Sequence, residues 1–318
     1  MSMRYLLLSL ALFTVPLFGR EPVGKVSEFL LEPTDESRSR TVPVKVYLPQ
    51  TDSPQPVIVF SHGLGGSRNN SKYLGQHWAE AGYVAVFVQH IGSDESVWKD
   101  VPPAGRMKAL KGAVGLKPTL DRFSDIPFVL DRLEKWNADE DHALFEKLDL
   151  DHIGMTGHSY GAVTTQAMMG QKFPMNYQVD ETRFDAFMPM SPSDGKRVNG
   201  VAAFGHIKAP VLCMTGTEDG SPIDASQEPT SRRVPYASLP EGDAYELVFD
   251  EGDHMAFSDR TLTGEKQRLP RIHPAIQTIS TKFWDAYLRD DAEAKTWLKS
   301  ENVIPATGLS EADVWIWK

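Results

Sequence analysis

Short apolar runs alternate with amphipathic stretches along this chain, and their lengths predict its elements. Val57 to Ser61 (VIVFS) and Tyr83 to Val88 (YVAVFV) are continuous and apolar, as expected of strands covered on both faces. Val42 to Leu48 (VPVKVYL) alternates instead, which predicts a half-buried strand near an edge. His152 to Thr156, Ala186 to Met190, Val211 to Thr215 and Tyr245 to Phe249 read as further short strands. Helical spacing appears between them: Leu74, Trp78 and Ala81 in one stretch, then Leu120, Phe123, Ile126, Val129, Leu130 and Leu133 in another. A helix is also expected from Tyr160 to about Gln171, and a last amphipathic one from Pro274 to Leu288 carries Ile276, Ile279, Phe283, Trp284 and Tyr287. Strand and helix repeated this way predict an α/β fold with a mostly parallel central sheet and helices on both faces. One domain over residues 20–318 is the expected organisation.

Residues 91–118 break the pattern. They are rich in Gly, Pro and Lys and follow a central strand, at the sheet end where α/β proteins bind ligands. A lid-like, substrate-contacting insertion is the expectation. Residues 291–318 end in Val314-Trp315-Ile316-Trp317, side chains costly to leave in water, so this tail is expected to pack onto the body.

The N-terminus changes the picture. A short basic start through Arg4, an apolar run from Tyr5 to Phe18, and Gly19 at a cleavage-compatible position have the layout of a secretory signal. Export to the periplasm or outside a bacterial cell is therefore expected, with no stable membrane insertion once residues 1–19 are removed. The single cysteine, Cys213, excludes an intrachain disulfide. A formal net charge of −10 disfavours nucleic acid as a partner. No His-Glu-x-x-His, cysteine cluster or phosphate loop is present, so neither a metal nor a cofactor is expected.

Candidate chemistry centres on Gly157-His158-Ser159-Tyr160-Gly161. This Gly-x-Ser-x-Gly spelling follows a strand and precedes a helix, which suits a serine nucleophile on a sharp turn. Such a serine needs a base, an acid and donors for a developing oxyanion. Phe60-Ser61-His62-Gly63-Leu64-Gly65-Gly66 follows an earlier strand, where the second donor loop belongs. The backbone N–H groups of Leu64 and Tyr160 are the expected pair, with His62, Gly63 and His90 near the substrate. His254, after the last predicted strand, is the expected base. His158 reads as loop-orienting, and His142, His152, His206 and His273 as surface or structural. Asp219 leads as the acid, with Glu218 and Asp194 as alternatives.

The strings FSHGLGGSRNN, YLGQHWAEAGYVAVFVQHIGSDESVW and GHSYGAVTTQ resemble bacterial relatives of the dienelactone hydrolases and plasma-type platelet-activating-factor acetylhydrolases, within the α/β-hydrolase fold. The resemblance runs from about Val42 to Leu288. It implies a Ser-Asp-His triad and carboxylic-ester hydrolysis, roles that fall on Ser159, Asp219 and His254. Two departures bear on substrate. The elbow carries Ser159 where dienelactone hydrolases use cysteine, and Ser191-Pro192 stands where the plasma acetylhydrolase keeps its acid. A serine esterase acting on a small-molecule ester is the leading expectation. A phospholipid acyl hydrolase or a peptidase on the same triad is the alternative, and a catalytically silent binding protein is a third.

Overall fold

A computed structural model describes residue 23 and residues 25–179, 181–194, 198–259 and 269–318; the expected signal segment, residues 1–19, lies outside the described residues. Nine strands form the main sheet: β1 (Val26–Leu31), β2 (Val44–Pro49), β3 (Gln55–Ser61), β4 (Val84–Val88), β5 (Leu148–His158), β6 (Ala186–Met190), β7 (Val211–Glu218), β8 (Ala244–Asp253) and β9 (Val314–Trp317). Their spatial order is β1-β2-β4-β3-β5-β6-β7-β8-β9. The six from β4 to β8 in that order run parallel, while β1, β2 and β9 are antiparallel to their neighbours. This is the α/β-hydrolase fold.

The period-two geometry of a strand explains the continuous apolar runs. In β3, Val57 and Val59 pack on one face with Ile126, Leu130 and Leu133 of helix α3 (Leu116–Ala138). Ile58 and Phe60 pack on the other with Trp78 of α1 (Lys72–Glu80) and Phe283 and Trp284 of α7 (Ile272–Leu288). Every residue of β2 is buried, so it is not the half-buried near-edge strand that its alternation predicts. The cause is β1, which pairs with it on the outside and takes the edge. The tail does pack back, through α8 (Ala292–Leu298), α9 (Val303–Thr307) and edge strand β9.

Residues 91–118 are more regular than their composition suggests. They hold a single turn at Glu95–Val97, helix α2 (Pro103–Gly112) and the start of α3. No α2 residue is buried, which is why no apolar stripe announced the helix. Among the described residues no helix is long and apolar enough to cross a membrane.

Candidate active site

Ser159, Asp219 and His254 each occupy the position immediately after the last residue of a parallel strand: β5, β7 and β8. They therefore meet at the carboxyl edge of the sheet, where open α/β folds collect ligands. Ser159 opens helix α4 (Tyr160–Met168) with φ 58° and ψ −114°, a left-handed conformation that costs a non-glycine residue on the order of 1–3 kcal/mol. The turn is held by the Ser159 N–H, which donates to Met190 O at 2.9 Å, and by Val163 N–H to Ser159 O at 3.2 Å. A Cβ on Gly161 would sit 1.9 Å from Ser61 O, so the flanking glycine is what lets the turn pass this close to β3.

The His254 imidazole bridges the other two residues. Its Nδ1–H donates to Asp219 Oδ1 at 2.7 Å, and its Nε2 accepts from Ser159 Oγ at 2.8 Å. Thr215 Oγ1 donates to the second Asp219 oxygen at 2.8 Å. Burial opposes ionisation of Asp219, but the His254 hydrogen bond and the charge of Arg232 outweigh it and hold the carboxyl below its ordinary range. Glu218, the adjacent alternative, is exposed, and the carboxylate within hydrogen-bond distance of His254 is that of Asp219. Close approach of the two strand ends is possible because Gly216 has no Cβ, which would lie 2.1 Å from Gly252 O.

An arginine and a histidine support this line from below. Arg232, buried, donates to Asp219 O (3.2 Å), Ser191 O (3.1 Å) and Pro192 O (3.2 Å), tying the β6 and β7 loops together under His254. His158 is fully desolvated and pushed down to about 3, so it is neutral, and its Nε2–H donates to His254 O at 2.8 Å. The residue before the serine thus holds the backbone of His254, in keeping with the loop-orienting reading of its position.

The loop after β3 lies against the elbow: a Cβ on Gly63 would be 3.4 Å from Ser159 Cβ. His90 N–H donates to His62 Nε2 at 3.0 Å, which leaves the ring proton on Nδ1, and Nδ1–H donates to Gly63 O at 2.6 Å. Gly66 N–H donates to the same carbonyl at 3.0 Å. In a trans peptide the N–H lies opposite the C=O, so these bonds aim Leu64 N–H away from the loop interior. Among the described residues neither Leu64 N–H nor Tyr160 N–H has a protein acceptor.

Substrate contact through the His90 ring, and through the His62 nitrogens, is corrected by this geometry. His90 is fully buried and does not line the cavity over Ser159: Ser61 Oγ donates to its Nε2 (2.9 Å) and its Nδ1–H donates to Asp125 (3.0 Å). Desolvation and nearby Arg122 push it down to about 4. His62 borders the cavity, but both ring nitrogens are committed to the loop. Gly63 does line the cavity.

That cavity, about 640 Å³, opens over Ser159 and His254. Pro103, Arg106, Met107 and Leu110 form one wall, the i, i+3, i+4, i+7 face of α2. Ile223 and Met255 line it too, so the interior is mainly apolar.

Arg122 and Arg232 were not apparent from motifs. Arg122 did leave a signal: it lies four residues before Ile126 and seven before Val129, a charge on the apolar stripe of α3. Arg232, in a turn of residues 229–233, left none.

Sheet order, helices on both faces and the strand-turn-helix at residue 159 are those of the α/β-hydrolase fold, and a family match over part of the chain supports a hydrolase of the esterase type. Residues 37–100 match the family model of platelet-activating factor acetylhydrolase, isoform II. The match covers β2, β3, β4 and the loop of His62 to Gly66, and stops before the serine elbow. No curated protein matches the chain.

Proposed function

We propose that this protein is an exported serine esterase that cleaves carboxylic esters through Ser159, His254 and Asp219. The observation that carries the reading is the continuous hydrogen-bonded line from Ser159 Oγ through His254 to Asp219, at 2.8 and 2.7 Å, beneath an open cavity. Neutral His254 takes the hydroxyl proton as Ser159 Oγ attacks the ester carbonyl. The tetrahedral oxyanion is met by Leu64 N–H and Tyr160 N–H, each such donor contributing roughly 10²- to 10³-fold in rate. The protonated imidazole then gives its proton to the leaving alkoxide, and an acyl-Ser159 ester remains. Water, deprotonated by His254, attacks that ester; the carboxylic acid leaves and Ser159 recovers its proton. Ionised Asp219 holds the imidazole tautomer and balances its positive charge throughout.

The family match favours an acetyl or other short acyl ester within this class. A phospholipid acyl hydrolase is the second reading, favoured by that match and by the exposure of Met107, Val114 and Leu116 around α2. In both readings residues 20–318 act as one catalytic domain, residues 91–118 serve as its lid, and residues 1–19 direct export. A panel of p-nitrophenyl acyl esters, amides and short-chain phosphatidylcholines is the test. Turnover of short esters with a covalent fluorophosphonate adduct on Ser159 is expected. Hydrolysis of none of these, with no adduct, would leave a binding protein on the hydrolase fold.

A further inference from the structure

Helix α3 sends one fully buried guanidinium into the region behind the candidate oxyanion hole. Arg122 is 0% exposed. Its Nη1 donates to His62 O at 2.8 Å and lies 3.3 Å from Ser61 Oγ, and its Nε donates to Ser93 Oγ at 2.8 Å. These are neutral oxygens: among the described residues no carboxylate is within ion-pair distance of this side chain. The neighbouring Asp125 is taken up by Arg38, Arg40 and His90.

Burying a cation with no carboxylate in direct contact is costly, and a helix face otherwise packed with Phe123, Ile126 and Val129 has no packing need for it. Its contacts indicate a use. Through His62 O it fixes the peptide that enters the 62–64 turn, whose next carbonyl is already clamped by His62 Nδ1–H and Gly66 N–H. On its other side the guanidinium carbon stands 4.3 Å from the centroid of the Tyr160 ring, whose hydroxyl bonds Thr119 Oγ1 at 2.8 Å. One side chain therefore touches both residues or turns that carry the unpartnered N–H groups of Leu64 and Tyr160.

The geometry points to Arg122 as the positioning residue of the oxyanion hole: a buried, unpaired cation that aligns the two backbone donors and adds positive potential to their site. The inference rests on the serine-esterase reading and adds a part to it. A fixed charge in a water-poor region acts most strongly on charge that develops only in the transition state. Its loss should therefore lower kcat while leaving substrate affinity nearly untouched.

The test compares Arg122→Gln and Arg122→Lys with the wild-type protein on p-nitrophenyl acetate, with melting curves alongside. For Arg122→Gln, kcat is expected to fall about 10²-fold with KM within about threefold. Arg122→Lys keeps the charge without the planar fork and is expected to recover part of the loss. Binding of a trifluoromethyl ketone, which forms an oxyanion on Ser159, should weaken in step with kcat. Folded Arg122→Gln with kcat within threefold of wild type overturns the inference, as does a loss carried wholly by KM. If Arg122→Gln does not fold, Ser93→Ala carries the test by removing the partner of Nε. A drop in kcat of about threefold to tenfold at constant KM supports the role, and unchanged kcat overturns it. Absence of ester hydrolysis and of a Ser159 adduct in the wild type would instead count against the esterase reading itself.

Discussion

At the scale of single residues, the site depends on who stands next to whom at sub-ångström tolerance. Ser159→Ala removes the attacking oxygen and is expected to lower kcat on the order of 10⁶-fold, with the fold intact by circular dichroism. Near-normal turnover by that variant would end the serine-esterase reading. Asp219→Asn keeps the shape but lets His254 adopt the wrong tautomer, for an expected loss of about 10⁴-fold. Gly161→Ala tests the turn rather than the chemistry. Its methyl would collide with Ser61 O, so both melting temperature and activity should drop, whereas Gly112→Ala, in a helix with nothing nearby to meet, should lower neither. The residue types of the candidate site were legible from the sequence, because a nucleophile, an acid and a base each follow an apolar strand in order. The buried supports were not. His90 reads as a rim residue until the ring of Asp125 and Ser61 around it is known, and those contacts join positions 29 and 35 apart.

At the scale of elements, periodicity revealed what packs and hid what does not. Helices α3 and α7 announced themselves through apolar stripes, whereas α2 buries no residue and its 103, 106, 107, 110 face looks onto a cavity instead. Strand β1 was missed for a related reason: with Glu28 and Leu30 exposed on an edge, VSEFLL has no clean period. The tail contributes an element of its own through Asp313. Its buried carboxylate accepts from Asp250 N–H (2.7 Å) and from Arg271 Nε (2.8 Å), joining the β8 end to the start of α7 on either side of the base loop. Asp313→Ala strands a charged partner and is expected to destabilise the fold by about 3 kcal/mol. Chemical denaturation measures this, and a change below 1 kcal/mol would show the clasp to be incidental.

At the scale of the whole molecule, the buried histidines contribute to the response to acid. His90 and His158 ordinarily titrate near 6.5 but are pushed to about 4 and about 3 in the fold, chiefly by desolvation. A depressed value means that the unfolded chain takes up protons which the folded chain refuses. Their contribution is therefore complete above about pH 6.5 and is lost progressively as the pH falls towards 4 and then 3. The melting temperature should be level above pH 7 and decline steadily between pH 6.5 and 4. His90→Gln should flatten that decline, and an unchanged slope in this variant would rule out His90 as a source.

Edge strand β9 and the Asp313 clasp have one more consequence, which concerns time. Ser159, Asp219 and His254 are made in that order, but the residues that brace the loop of His254, Asp313 and strand β9, lie well downstream of it. A ribosome-bound polypeptide lacking those residues has a serine and a histidine without a finished frame to hold them. Synthesis itself thus withholds a finished frame until residues 313–317 have been made. Chains stalled just short of Asp313 are expected to be inert towards a fluorophosphonate probe that labels the released protein, and equal labelling of both would refute this ordering.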